Sequence, residues 1–114
     1  MITVYEKPTC TKCRQLKKFL NDEGIEYELK HYYEERLSPE EIKAILKKLK
    51  MRPRDILRTG EEIYRRLGLK DKAITSEQLI RAMSNNPDLI QRPIIVKGNR
   101  AVLGRPLENI EELL

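Results

Sequence analysis

The sequence has no tryptophan, one phenylalanine and one histidine, and only two of its 114 residues are cysteine. With few aromatic side chains to stack on bases and no run of five or more lysines and arginines, nucleic-acid binding is not expected, despite a net charge of +5. No apolar run approaches the length that spans a membrane. Met1 leads directly into a predicted strand, without a charged and then apolar leader, so we expect a cytoplasmic protein.

Charged residues make up 36% of the chain and apolar residues 39%, so the surface should carry many charges of both signs. A chain of 114 residues is long enough to form a hydrophobic core without disulfides or a structural metal. We predict a single domain over residues 1–114, and we expect it to be a monomer. The positive net charge suits a small anionic substrate or an acidic partner.

The two cysteines form a C-x-x-C pair, Cys10 and Cys13, that follows the short apolar run 2–5. The pair therefore lies where a predicted strand is followed by a predicted helix. The first turn of a helix has unsatisfied N–H groups and a partial positive charge, which favour a thiolate over a thiol. We predict that Cys10 is the reactive thiol and that Cys13, one turn further on, resolves it by forming a disulfide.

Two other interpretations of the pair are a zinc site and a structural role. A zinc site requires four ligands, and besides the pair the chain offers a single histidine, His31, so no metal is expected. Structural cysteines are buried, and the residues that flank the pair argue against burial: Pro8, Thr9, Thr11, Lys12 and Arg14. In a leaderless chain such a pair is typical of a redox site.

The pattern of apolar residues predicts an α/β fold. A strand, a helix and a second strand are expected at 2–5, 11–23 and 25–29, with the two strands parallel. A helical block follows at about 38–86, and after it come two strands joined by the Gly98-Asn99 turn and a last helix, at 93–97, 100–103 and 107–114. This order, β-α-β and then β-β-α, is that of a thioredoxin-like fold, a four-stranded mixed sheet with the helical block inserted between its halves.

Three arginines lie at the ends of predicted elements. Arg58 closes a short helix of the inserted block, while Arg92 and Arg105 each precede a proline. The planar fork of arginine can bond two oxygens of a tetrahedral oxyanion at once. One such arginine alone would count as a surface charge, whereas the three together predict an oxyanion site. In the thioredoxin arrangement the turn before the third strand faces the reactive cysteine and its proline is commonly cis, so we predict a cis Arg92-Pro93 bond.

Four sequence blocks occur in order along the chain: Lys7-Pro8-Thr9-Cys10, Asp55-Ile56-Leu57-Arg58, Arg92-Pro93-Ile94-Ile95-Val96 and Leu103-Gly104-Arg105-Pro106. In these blocks, and over essentially its whole length, the chain resembles the ArsC family, the arsenate reductases of the glutaredoxin-coupled type. The resemblance implies that Cys10 is the nucleophile that attacks arsenate. It also implies that Arg58, Arg92 and Arg105 bind the anion and that Pro93 is the family's cis-proline.

The same resemblance implies the partners. The protein would bind no cofactor of its own and would take electrons from glutathione and glutaredoxin, or from thioredoxin. Its substrate would be a small oxyanion such as arsenate.

The chain departs from the reductases at Glu6, where they usually have a histidine shortly before the cysteine. A carboxylate at that place is expected to raise the pKa of Cys10. The positive charges of Lys7, Lys12 and Arg14 would offset that effect.

The second departure is Cys13, which the reductases usually lack because glutathione supplies the second thiol. The C-x-x-C pair resembles instead the Spx-type regulators of the same family, which bind RNA polymerase and sense oxidation through the pair. Spx-type chains have a longer tail and do not keep the last Arg-Pro. We therefore favour a reductase-like protein with Cys13 or glutathione as the resolving thiol. A Spx-type redox-sensing transcriptional regulator and a general thiol–disulfide oxidoreductase are the alternatives.

Overall fold

The computed structural model describes residues 1–7 and 10–114, so the predicted loop at Pro8 and Thr9 lies outside the described residues. Four strands form one mixed sheet: β1 (Ile2–Glu6), β2 (Tyr27–His31), β3 (Ile94–Lys97) and β4 (Arg100–Leu103). Their order across the sheet is β2-β1-β3-β4. β1 pairs with β2 in parallel and with β3 in antiparallel, and β3 and β4 form the predicted hairpin. The predicted α/β, thioredoxin-like fold is confirmed.

The sheet and the first helix, α1 (Thr11–Asp22), bury their apolar faces against each other. Leu16 and Leu20 are fully buried on α1, and full burial of a leucine stabilises a fold by roughly 1.5–3 kcal/mol. They belong to a core cluster that also takes in the sheet and the C-terminal segment: Ile2, Val4, Ile95, Val102, Ile110 and Leu113. The chain leaves α1 through Gly24, whose φ of 67° is a backbone conformation that glycine adopts without strain.

The C-terminal segment forms the helix that the sequence pattern predicts over 107–114. It is a 3₁₀-helix, Leu107–Leu113. A 3₁₀-helix has three residues per turn, so Ile110 and Leu113 align on the same face, and both are buried. The second strand begins two residues later than predicted, at Tyr27.

The described residues form two compact units, of which Met1–Glu35 with Arg92–Leu114 contains the sheet and α1. The other unit, Arg36–Gln91, is helical and includes the predicted block at 38–86. Its helices are α2 (Pro39–Leu49), α3 (Glu62–Arg66) and α4 (Ser76–Asn85), with 3₁₀-helices at Pro53–Ile56 and Pro87–Leu89. That the whole chain is one domain stays a prediction.

Two helices of the second unit begin with capping boxes. The Ser38 side chain accepts a hydrogen bond from the Glu41 N–H, and the Glu41 carboxylate accepts one from the Ser38 N–H. Thr75 and Gln78 form the same reciprocal pair at the start of α4. Each box satisfies two backbone N–H groups that have no partner within the helix. The residues of the box therefore predict where each helix begins. None of the described helices is both long and apolar enough to cross a membrane.

Candidate active site

Cys10 is the N-cap residue of α1, with an extended backbone. Its Sγ accepts a hydrogen bond from the Cys13 N–H at 3.4 Å. This N–H belongs to the first turn of α1, where backbone donors have no partner within the helix. Both thiols are reduced. This arrangement brings the two predicted redox residues together on one turn.

Both cysteines are buried, so the prediction that polar neighbours would keep the pair exposed is wrong. Cys10 is 7% exposed and Cys13 is inaccessible. Thr11, Lys12 and Arg14 are exposed, as their polarity suggests. Successive residues of a helix point in different directions, so Cys13 turns inward between exposed neighbours, onto the face that carries the buried leucines of α1.

The Cys10 thiol is poised to ionise. Burial by itself raises its pKa, but the hydrogen bonds from Cys13 and the positive charges of Arg105 and Arg92 outweigh burial and hold the pKa below its ordinary value. A thiolate is the nucleophilic form of cysteine. The local environment therefore favours Cys10 as the attacking sulfur.

The Cys13 thiol has the opposite character. Burial raises its pKa to about 12, helped by its hydrogen bond with Cys10 and by the negative charges of Cys10 and Glu6, while a backbone hydrogen bond from Lys7 opposes the rise. The negative charge of Glu6 acts on Cys13. The positive charges of Arg105 and Arg92, both distant in sequence, stabilise the Cys10 thiolate.

Arg105 and Arg92 lie next to the Cys10 sulfur. Arg105 Nη2 is 3.7 Å from Cys10 Sγ, and its Nε donates a hydrogen bond to the Arg92 carbonyl. Arg92 is 8% exposed, and its Nη1 donates to the Tyr33 hydroxyl at 3.0 Å. The Nε of Arg92 is buried and has no hydrogen-bond partner among the described residues. Two cations therefore lie beside a nucleophilic sulfur, and such a pair can hold an anion against it.

The segment that carries Arg105 approaches Pro93 closely. The Gly104 N–H donates to the Pro93 carbonyl at 2.8 Å. A Cβ at Gly104 would lie only 2.7 Å from Pro93 Cγ, so the close approach depends on glycine at this position. The Arg92-Pro93 peptide bond is cis, and so is Arg105-Pro106, for which the sequence analysis makes no prediction.

Arg58 belongs to the helical unit. Its Nε pairs with Glu61 Oε1 at 3.2 Å, and its backbone N–H donates to the Leu89 carbonyl at 2.7 Å. Its role as a third anion-binding arginine stays a prediction from the resemblance.

Sequence motifs do not reveal the charged cluster at the end of β1, where Glu6 is only a departure from the reductase pattern. Glu6 is completely buried; its Oε1 lies 3.1 Å from Lys17 Nζ and 3.6 Å from His31 Nδ1. The strand alternation that buries Ile2 and Val4 also predicts that Glu6 faces inward, and this is the signal that would have found it. No comparable signal identifies Tyr33 as a partner of an arginine.

Within residues 1–7 and 10–114, no three His, Cys, Asp or Glu side chains come together as a group that could hold a metal ion.

The chain is similar to known proteins over nearly its whole length. The sequence profile described as the ArsC family matches residues 5–113. An arsenate reductase from Haemophilus influenzae is 33% identical, over 99% of this chain and 98% of its own length. The global transcriptional regulator Spx from Listeria innocua is 31% identical, over the whole of this chain and 87% of its own length. The solved structure of an arsenate reductase from Vibrio cholerae superposes with a TM-score of 0.96 at 35% identity, covering 99% of this chain and 97% of that one.

Proposed function

The chain belongs to the ArsC family, and from this premise we propose that it is a thiol-dependent reductase of arsenate or a closely related oxyanion. The observation that carries the proposal is the position of Cys10 at the start of α1, with Arg105 Nη2 3.7 Å from its sulfur and Arg92 beside it. A general oxidoreductase that acts on disulfides needs a nucleophilic thiol, but it does not need two cations beside that thiol. Those features suit a small anion.

The proposed reaction begins with arsenate held by Arg92 and Arg105. The Cys10 thiolate attacks arsenic, an S–As bond forms, and one arsenate oxygen leaves as water after taking up protons. The arginines neutralise the negative charge of the anion, so that a thiolate can approach it. Arg58 is proposed as a third anion-binding residue on the strength of the family resemblance.

The second step uses Cys13. Its thiolate attacks Cys10 Sγ, so the S–S bond forms and the S–As bond breaks with its electron pair left on arsenic. Arsenic(V) gains two electrons and leaves as arsenite, while the two thiols lose two electrons and become a disulfide. Glutathione acting in place of Cys13 would give the same electron count, with a Cys10–glutathione disulfide as the product. Glutaredoxin with glutathione, or thioredoxin, then returns the protein to its dithiol form.

A second candidate is a redox-switched regulator of the Spx type. The presence of Cys13 favours it, together with the 31% identity to a protein named a global transcriptional regulator. In that function the Cys10–Cys13 disulfide would be a signal rather than a step of turnover, and RNA polymerase would be the partner. Such a protein would need no anion at Cys10.

Steady-state arsenate reduction separates the candidates. The purified protein is assayed once with glutathione and glutaredoxin and once with thioredoxin and its reductase, with arsenite as the measured product. The proposal expects turnover with at least one donor system and none in the Cys10→Ser variant. If neither system supports arsenite formation while oxidants still close the disulfide, the regulator becomes the better account.

A further inference from the structure

The carboxylate of Glu6 is a buried charge that the proposed mechanism does not yet use. Its Oε1 accepts a hydrogen bond from Lys17 Nζ and lies 3.6 Å from His31 Nδ1, while Oε2 is buried and has no hydrogen-bond partner among the described residues. Buried carboxylate oxygens are normally bonded, because an unsatisfied polar atom in the interior costs free energy. An open acceptor at this position therefore calls for an explanation.

Glu6 lies beneath the face of α1 that carries Cys13. Cys13 and Lys17 are four residues apart on that helix, so their side chains lie on the same face, and Lys17 reaches Glu6 at 3.1 Å. The residue after Glu6, Lys7, supplies the backbone hydrogen bond to the Cys13 thiol, and the charge of Glu6 acts directly on that thiol. Chain connectivity and helix geometry thus both bring the carboxylate to Cys13.

The Cys13 thiol must lose its proton in the resolving step, and a carboxylate can accept a proton. Burial raises the pKa of the Cys13 thiol, so the thiol keeps its proton at neutral pH. The resolving attack requires the thiolate, so the Cys13 proton must be removed as the attack occurs. Cys13 is inaccessible, so bulk water cannot take the proton directly.

We propose that Glu6 is the proton acceptor for Cys13 in the resolving step. In that step the Cys13 S–H bond breaks and the proton moves to the Glu6 carboxylate, whose Oε2 has no hydrogen-bond partner among the described residues and is open to accept it. The electron pair left on Cys13 Sγ forms the bond to Cys10 Sγ, and the group bound to Cys10 leaves with the pair of the broken bond. His31, whose side chain is 36% exposed, offers the route by which the proton then reaches water. The inference rests on the proposed function only in taking Cys13 as the resolving thiol.

The titratable groups that face Glu6 among the described residues come from two elements: Lys17 and Cys13 on α1, and His31 on β2. They define a competing explanation in which Glu6 acts through its charge alone. A negative charge near Cys13 raises the pKa of that thiol, so removing the charge would make the resolving attack faster. A proton acceptor has the opposite effect, because removing it makes the attack slower. The sign of the change decides between the two roles.

The test uses the reduced protein and 5,5′-dithiobis(2-nitrobenzoate), without arsenate or any electron donor. Cys10 attacks the reagent disulfide and releases one thionitrobenzoate, and Cys13 then displaces the second one from Cys10. The two phases of colour release therefore report the two cysteines separately. Glu6→Gln keeps the size of the side chain and removes its basicity. Glu28→Gln, an exposed carboxylate on β2, is the control for the loss of one negative charge.

For Glu6→Gln we expect a first phase within about twofold of wild type and a second phase at least about tenfold slower at neutral pH. The second phase of the variant should also rise about tenfold per pH unit, as expected when hydroxide must remove the proton. Glu6→Asp should restore part of the rate, and Glu28→Gln should match wild type. A second phase in Glu6→Gln that is unchanged or faster than wild type overturns the proposal.

If Glu6→Gln does not fold, the pH profile of the wild-type second phase decides. A profile that levels off between about pH 6 and about pH 9 supports an internal acceptor, because a buried thiol that loses its proton to hydroxide would show a rate that rises steadily with pH. A tenfold rise per unit across that range overturns the proposal, and so does the complete absence of a second phase. If the protein releases thionitrobenzoate in both phases as expected but does not reduce arsenate, only the proposal that arsenate is the substrate is refuted.

Discussion

Removal of the Arg105 charge should make Cys10 a weaker nucleophile at neutral pH. A unit charge 3.7 Å from a thiolate is worth about 1 kcal/mol in a water-like dielectric and about 4 kcal/mol at an effective dielectric constant of 20. Arg105 is exposed, so solvent screening argues for the lower figure. Arg105→Ala should therefore reduce the thiolate population below the pKa, and with it the labelling rate of Cys10, by roughly fivefold.

The assay is alkylation by iodoacetamide over a range of pH, with mass spectrometry to identify the labelled cysteine. The Arg105→Ala curve should move to higher pH, because a lost positive charge makes the thiolate harder to form. Arg105→Lys should keep most of the labelling rate, since it retains the charge, while losing anion affinity with the planar fork. Arg81→Ala, which removes an exposed arginine from α4, is the control for net charge.

Two results would refute this account of Cys10. One is an Arg105→Ala profile that coincides with wild type, which would mean that the arginine does not act on the sulfur. The other is labelling of Cys13 ahead of Cys10 in the wild-type protein. That outcome would contradict both the lowered pKa of Cys10 and the pKa of about 12 for Cys13.

Three further changes test other parts of the site. Without any external thiol, Cys13→Ser should release no arsenite from arsenate, because no second thiol can displace arsenic from Cys10. Arsenite release at the wild-type rate in that assay would contradict the resolving role of Cys13. Tyr33→Phe removes the hydroxyl that accepts from Arg92, so sulfate or arsenate affinity should fall by about three- to tenfold in an NMR titration. Unchanged affinity would mean that the hydroxyl does not position the arginine. Gly104→Ala places a methyl group 2.7 Å from Pro93 Cγ and should lower the free energy of unfolding by about 1–3 kcal/mol in a urea titration, whereas Gly60→Ala, with open space around it, should not suffer such a clash.

Local signals predicted the fold well. The alternation along β1, the Gly98-Asn99 turn and the capping box at Ser38 each depend on residues within a few positions of one another. The sequence therefore contains their full physical cause. The pairing of Cys10 with Cys13 is local in the same sense, because one helical turn separates them.

The site depends on contacts that sequence spacing does not reveal. Arg105 reaches Cys10 from 95 positions away, and Arg92 reaches Tyr33 from 59 positions away. The parallel register of β1 with β2 aligns Glu6 with His31, and only that register brings the two together. Motif resemblance pointed to the arginines, whereas nothing in the linear sequence pointed to their partners.

The polarity of neighbouring residues in the sequence does not predict the burial of the two cysteines. Polar neighbours suggest that a residue is exposed, but on a helix a residue between exposed neighbours can face the core. Helical periodicity, with Cys13 three residues before Leu16 and seven before Leu20, predicts the inward direction correctly. The periodic pattern was the better guide because side-chain direction follows the helix and not the polarity of adjacent residues.

Single-turnover reduction of arsenate by the dithiol protein tests the central claim most directly. Reduced protein is mixed with millimolar arsenate in the absence of any external thiol, and arsenite and the Cys10–Cys13 disulfide are measured together. The proposed mechanism predicts one arsenite for each disulfide formed, and neither product from Cys10→Ser. Two free thiols and no arsenite, in a protein whose pair still closes with other oxidants, would contradict the claim that the Cys10–Cys13 pair reduces arsenate.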